Sequence, residues 1–118
     1  HGYEVGAPTL ESVRTLTLDQ YAKENAIDQI DLLKVDVEGA EYQVLLGAKE
    51  MLRSKRIGLV LFEFGRTTYD MGNDPAKIES FLREQGYVLS AIKRGTRKFP
   101  GAGSAETAVY NMVAARAR

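Results

Sequence analysis

Two stretches of the chain are apolar at nearly every position: Ile30-Asp31-Leu32-Leu33-Lys34-Val35-Asp36-Val37 and Ile57-Gly58-Leu59-Val60-Leu61-Phe62-Glu63-Phe64. Runs of this kind read as strands covered on both sides, the pattern of central parallel strands rather than of edge strands. Between them the period changes. From Ala40 the apolar residues Val44, Leu45, Ala48, Met51 and Leu52 fall at helical spacing. Glu41 near the start of that helix, and Arg53, Lys55 and Arg56 near its end, suit the macrodipole. Gly39 interrupts the first run and predicts a tight strand-to-helix turn that also lets a ligand approach the backbone. Gly47 lies inside the helix at a cost of about 1 kcal/mol against Ala, which a close approach to a neighbouring element would explain. Strand, helix and strand together make a right-handed βαβ unit.

The flanks are less regular. His1 to Glu11 is punctuated by Gly and Pro and reads as loop. Val13 to Leu18 alternates apolar with polar residues, the pattern of a short strand. Thr17 followed by Gln20 resembles a capping box. It would open a helix with Leu18, Tyr21 and Ala22 on one stripe and an Asp19–Lys23 pair at i,i+4. After the second apolar run, Gly65 to Asn73 is polar and reads as a flexible connection. Asp74 then looks like an N-cap with Pro75 in the first helical position. Ile78, Phe81 and Leu82 form the apolar stripe of that helix, and Gly86 its left-handed stop. Tyr87 to Ile92 and Thr107 to Ala114 read as two last strands, joined by the Gly- and Pro-containing loop Lys93 to Glu106 and closing the chain as a hairpin. The order is that of an α/β domain.

Composition narrows the function more than the fold. The 118 residues fit one domain, with 44% hydrophobic and 27% charged residues. Lys+Arg and Asp+Glu are both 16, so the basic excess of a nucleic-acid-binding module is missing. No apolar run approaches the ~18 residues of a membrane span. With Cys at 0 there is no disulfide, thiolate zinc site or cysteine nucleophile, which fits a reducing cytoplasm. The single His, His1, stands at the start, where it reads as a truncation point or tag remnant. No His-based triad or two-His metal site can be assembled from this chain.

A combined motif is more specific than any of these patterns. Thr17-Leu18-Asp19, then Ile30-Asp31-Leu32-Leu33-Lys34-Val35-Asp36-Val37-Glu38-Gly39-Ala40-Glu41, then Val44-Leu45-Leu46-Gly47-Ala48, resembles the signature of the FkbM methyltransferase family. The likeness continues through Leu61-Phe62-Glu63 and Leu82 to Gly86-Tyr87, and ends at Asn111. It implies an α/β fold of the Rossmann-like class I methyltransferase type, with strand order 3-2-1-4-5-7-6 and the last strand antiparallel. The four strands here would be the fourth to the seventh, so residues 1–118 are expected to be the C-terminal portion of one domain. The N-terminal half that grips most of the cofactor would be absent, because no G-x-G turn follows a strand. The resemblance also implies S-adenosylmethionine as methyl donor and a small-molecule or sugar hydroxyl as acceptor. No nucleic acid or membrane partner is expected.

The site expectations follow from strand geometry and the same resemblance. In open α/β sheets, ligands bind beyond the carboxyl ends of the strands, which selects Asp36, Val37, Glu38 and Gly39 for the cofactor. Asp36 is the candidate catalytic residue: it can orient a hydroxyl, act as general base or ligate a divalent metal, and its plain alternative is a carboxylate tied to turn amides. Glu38 and Glu41 serve either the site or helix capping. Lys34 shares the strand parity of Asp36 and, if buried, needs an anion. Glu63 ends the neighbouring strand, and two carboxylates at adjacent strand ends, Asp36 and Glu63, resemble the metal-binding arrangement of catechol-type O-methyltransferases, an analogy between families. Glu63, Arg66 and Tyr69 are the candidate acceptor-binding residues. Lys93, Arg94, Arg97 and Lys98, with Phe99, form a basic run that either steers an anionic acceptor or is a solvated face. The rival reading is a non-catalytic half-domain whose uncovered strand edge pairs with another chain as a homo-oligomer, and a solution mass separates the two. A metal-dependent nuclease or phosphatase is disfavoured for want of further ligands and a basic groove.

Overall fold

The structure is a computed structural model that describes residues 6–64, 66–91 and 111–117. The elements run α1 (Leu18–Glu24), β1 (Ile30–Val35), α2 (Glu41–Leu46), α3 (Lys49–Arg53), β2 (Ile57–Phe64), α4 (Arg66–Asp70), α5 (Pro75–Glu84), β3 (Tyr87–Ala91) and β4 (Asn111–Ala117). The four strands form one sheet in the order β1-β2-β4-β3. β1 and β2 are parallel, and β4 runs antiparallel between β2 and β3. The fold is therefore α/β, with the expected βαβ unit at one side and the closing antiparallel pair at the other.

Register decides which side chains form the core. Val35, Val60, Phe62, Ala115, Leu89 and Tyr87 share one face of the sheet and are buried there with Leu45, Met51, Leu52, Ile78, Phe81 and Leu82 from the helices. The opposite face is only partly covered: Leu32 is 52% exposed and Val88 is also exposed. β1 was expected to be a central strand covered on both sides. It is instead an edge strand in this sheet, because nothing among the described residues pairs with its second edge. Among the described residues no helix is long and apolar enough to cross a membrane.

Several local expectations change for identifiable reasons. Val13 to Leu18 is not a strand: it pairs with none of the four strands, and Val13 and Leu16 lie exposed. Thr17 is extended because it caps α1, where it and Gln20 form the expected capping box. The helix expected from Ala40 to Leu52 is two helices, broken at Gly47 and Ala48. At Gly47 an added Cβ would lie 3.3 Å from the Thr17 Cβ, and the Gly47 carbonyl accepts the Asp19 N–H at 2.9 Å. The close approach is real, and it turns the chain there. Asp19 is also not committed to Lys23. Its carboxylate accepts the N–H groups of Glu50 at 2.9 Å and Met51 at 3.1 Å, the second and third residues of α3. Ala48, the N-cap of α3, has no side-chain bond to offer, so α1 supplies the cap from outside.

The connection after β2 is not a flexible loop, since it contains α4. Asp74 caps α5 with Pro75 at its first turn, as expected, and Gly86 has φ +82 at its end. The last strand is described over Asn111–Ala117, past the expected end at Ala114, and the expected start at Thr107 lies outside the described residues. The loop from Lys93 to Glu106 and its basic run lie outside the described residues.

Two stability tests follow. Asp19→Ala removes the external cap and should lower unfolding free energy by about 1–2 kcal/mol in urea titrations, against a few tenths for an exposed substitution such as Lys77→Ala. A change below a few tenths would mean that α3 does not depend on Asp19. The second concerns Tyr87, whose hydroxyl donates to the Ile57 carbonyl at 2.5 Å in the core. Burial pushes the Tyr87 hydroxyl above its usual value. The folded state thus favours the neutral phenol. Its contribution is complete below about pH 10, the ordinary tyrosine value, and is lost as pH rises through the higher folded value. Tyr87→Phe should cost about 1 kcal/mol at neutral pH and flatten this alkaline limb. An unchanged alkaline limb in the variant would assign it to other groups.

Candidate functional site

β1 delivers Asp36 and Val37 to the carboxyl end of the parallel pair, and the chain then reverses in two residues. Glu38 has φ +49 and Gly39 φ +111. For a residue with a side chain the left-handed region costs about 1–2 kcal/mol, so the turn is strained at Glu38 and requires Gly at the next position. The expected tight turn is present.

Two side chains hold the peptide groups on either side of Gly39. The Gly39 N–H donates to both carboxylate oxygens of Glu41, at 3.0 and 3.1 Å. Glu41 is only 2% exposed; its carboxylate serves the turn rather than solvent or substrate. On the other side, the Asn73 Nδ2 donates to the Gly39 carbonyl at 2.7 Å. Asn73 is 6% exposed and its amide also meets that of Gln43, with Nδ2 to Gln43 Oε1 at 3.0 Å and Gln43 Nε2 to Asn73 Oδ1 at 3.5 Å. The Asn73 N–H donates in turn to the Thr68 carbonyl. The connection carrying α4 is thereby tied to the turn that follows β1.

The expected site residues separate into groups. Asp36, Val37 and Glu38 are exposed at this end, and Gly39 is buried beneath them. Lys34 is not in a buried strand: its Nζ lies 3.6 Å from Asp36 Oδ2, with both side chains more than half exposed. An exposed pair of this kind contributes ~0–1 kcal/mol and leaves the carboxylate open to solvent. Glu63 follows Phe62, the register partner of Val35, so Asp36 and Glu63 succeed the same rung on neighbouring strands, with Glu63 partly buried. Among the described residues no group of three His, Cys, Asp or Glu is placed to hold a metal ion. Tyr69, on α4, is exposed together with Met71, and the α4 connection brings both to the same end as the turn. The Arg66 side chain lies outside the described residues.

Gln43, Asn73 and the external role of Asp19 were not anticipated. Asp19 and Asn73 act on backbone more than 30 residues away in sequence, and Gln43 on the Asn73 side chain 30 residues away, where no local pattern marks them. Two grooves lie elsewhere. One, of about 460 Å³, runs between Asp19 and Arg56 at the amino end of β1. Its Asp19 carboxylate is used by α3, and its Arg56 guanidinium by the carbonyls of Ile27 and Asp28. The other, of about 620 Å³, lies between Leu16 and Val44 and holds no ionisable side chain. The turn, not the grooves, carries the candidate chemistry.

A family model described as the methyltransferase FkbM domain matches residues 8–89, a span that includes α1, the turn, Asn73 and α5. The AMB antimetabolite synthetase AmbE of Pseudomonas aeruginosa is 31% identical over 90 residues, covering 73% of this chain and 4% of that protein. The 2-O-methyltransferase NoeI of Sinorhizobium fredii is 44% identical over 45 residues, covering 38% of this chain and 18% of that protein. The chain thus spans less than a fifth of either relative. No solved structure matches it significantly. With most of its length matched by the one family model, the chain belongs to the FkbM methyltransferase family.

Proposed function

We propose that this chain serves S-adenosylmethionine-dependent methyl transfer to a hydroxyl oxygen of a small molecule or sugar. The observation that carries the proposal is the Asp36–Gly39 turn, an exposed carboxylate on a rigidly held reversal at the carboxyl end of a parallel strand pair. The name of NoeI, a 2-O-methyltransferase, supports oxygen as the accepting atom. The sheet order β1-β2-β4-β3, with β4 antiparallel, agrees with the fourth, fifth, seventh and sixth strands of a Rossmann-like class I methyltransferase. The open edge of β1 and the partly bare face bearing Leu32 leave room for further strands and helices. We therefore take the chain as the C-terminal portion of the domain, with the rest of the cofactor site supplied from outside residues 1–118.

The residues present fit such a cofactor. Asp36, Val37 and Glu38 are exposed, so a ligand can lie against the turn. Val37, Tyr69 and Met71 add exposed apolar surface. When bound, S-adenosylmethionine supplies a methyl group activated by a sulfonium charge. What the chain must add is alignment of the acceptor and removal of its proton. Asp36 can accept a hydrogen bond from the acceptor hydroxyl and take its proton; Glu63 and Tyr69 border the same end and can orient the rest of the acceptor. Arg66 joins them as a proposal from sequence alone.

The full-length gene product should transfer a labelled methyl group from S-adenosylmethionine to a hydroxyl acceptor. Asp36→Asn should reduce turnover on the order of 10²-fold or more, while cofactor affinity by calorimetry changes less than about threefold. Near-full turnover in the variant would reduce Asp36 to a structural carboxylate. Failure of the wild type to bind S-adenosylmethionine would contradict the function itself.

A further inference from the structure

The turn that bears Asp36 is not self-supporting. Glu38 and Gly39 both sit at positive φ, and the one backbone–backbone hydrogen bond across the turn, from the Ala40 N–H to the Val37 carbonyl, is long at 3.5 Å. Ala40, the N-cap of α2, makes no side-chain cap bond. A strained reversal with so little internal bonding persists only when its surroundings over-determine it.

We propose that Asn73 is a positioning residue for methyl transfer. Its side-chain amide fixes the Asp36–Gly39 turn from the far side of the site. The inference rests on the functional reading above and extends it to a residue outside the sequence motif. Four features single out Asn73. Its Nδ2 makes a 2.7 Å bond to the Gly39 carbonyl, shorter than the paired bonds of Glu41 to the Gly39 N–H. Its amide cannot rotate freely, because Gln43 occupies both its second donor and its oxygen. Its backbone is anchored by the Thr68 carbonyl and by its place just before the Asp74 cap of α5. It is buried, so water is poorly placed to replace a lost bond.

The residue type follows from these partners. The Gly39 carbonyl only accepts, so the group facing it must donate, and Gln43 presents one donor and one acceptor. Asp has the same shape but would set an oxygen against the Gly39 carbonyl. Leu fills the space with no hydrogen bond. Because Asn73 ends the connection that carries Tyr69, movement of that connection reaches Gly39 through a single rigid amide. The acceptor side of the site and the cofactor side are mechanically joined there.

The test uses the full-length gene product and its Asn73→Asp and Asn73→Leu variants. Amide hydrogen exchange read by NMR should accelerate at least about tenfold at Gly39, because its N–H keeps its bond to Glu41 only while Asn73 holds the carbonyl on the other side of the residue. The amides of Val60 and Leu82 in the core should stay within about twofold. Turnover should fall about tenfold with the acceptor KM within about twofold, the split expected when alignment rather than binding is lost. Unchanged Gly39 exchange in a folded variant overturns the proposal. So does faster Gly39 exchange with unchanged turnover, which makes the clamp purely structural. If both variants fail to fold, Gln43→Ala withdraws the amide's partner without touching Gly39. A few-fold rise in Gly39 exchange then supports the clamp, and no rise overturns it. A wild type that transfers no methyl group, yet whose Gly39 responds to Asn73, retains the clamp and refutes the methyl-transfer reading instead.

Discussion

A peptide group in a conformation that side chains resist has to be held from outside, and here the Gly39 peptides are held by two side chains. Glu41 takes the N–H and Asn73 supplies a donor to the carbonyl. The first comes from the helix that the turn starts and the second from the connection after the next strand. The turn, the start of α2 and the approach to α5 are thus one assembly. Whatever Asp36 does, it does from a platform whose shape is set by these two contacts more than by the strand that leads to it.

The same device recurs at the other end of the βαβ unit. Asp19, in the first turn of α1, takes two N–H groups of α3 that Ala48 leaves without a cap. The Thr-Leu-Asp and Asp-x-Glu-Gly segments of the family motif both owe part of their character to backbone groups elsewhere in the chain. Thr17 caps its own helix, Asp19 caps another, and Glu41 holds a turn. Of the acidic residues in these segments, Asp36 and Glu38 are left exposed where a ligand can reach them. Buried polar groups that are fully paired fix one geometry of the main chain. That geometry is what a site needs when its chemistry is alignment.

Much of this was readable in the sequence, and the parts that were not share a cause. β1, β2, the capping box at Thr17, the Asp74 cap and the Gly86 stop depend on neighbours within a few residues, so periodicity and cap chemistry find them. The break at Gly47 depends on Thr17, which packs against it from thirty residues upstream. The helical period of Val44 to Leu52 continues through the break and conceals it. Lys34 looked buried because its strand is apolar, but β1 has an open edge and an open face, and the lysine meets Asp36 in solvent. Asn73 carried no signal at all: an Asn between Gly72 and Asp74 reads as turn chemistry, and its partner Gly39 lies 34 residues away.

The central claim is that the Asp36–Gly39 turn faces the methyl donor. An NMR titration of the full-length gene product with S-adenosylhomocysteine, the stable product of the donor, examines it directly. The account predicts that the largest saturating amide shifts fall on Asp36, Val37, Glu38 and Gly39, with the Asn73 side-chain amide following them. Saturating shifts confined to the groove between Asp19 and Arg56, with the turn unmoved, would contradict it.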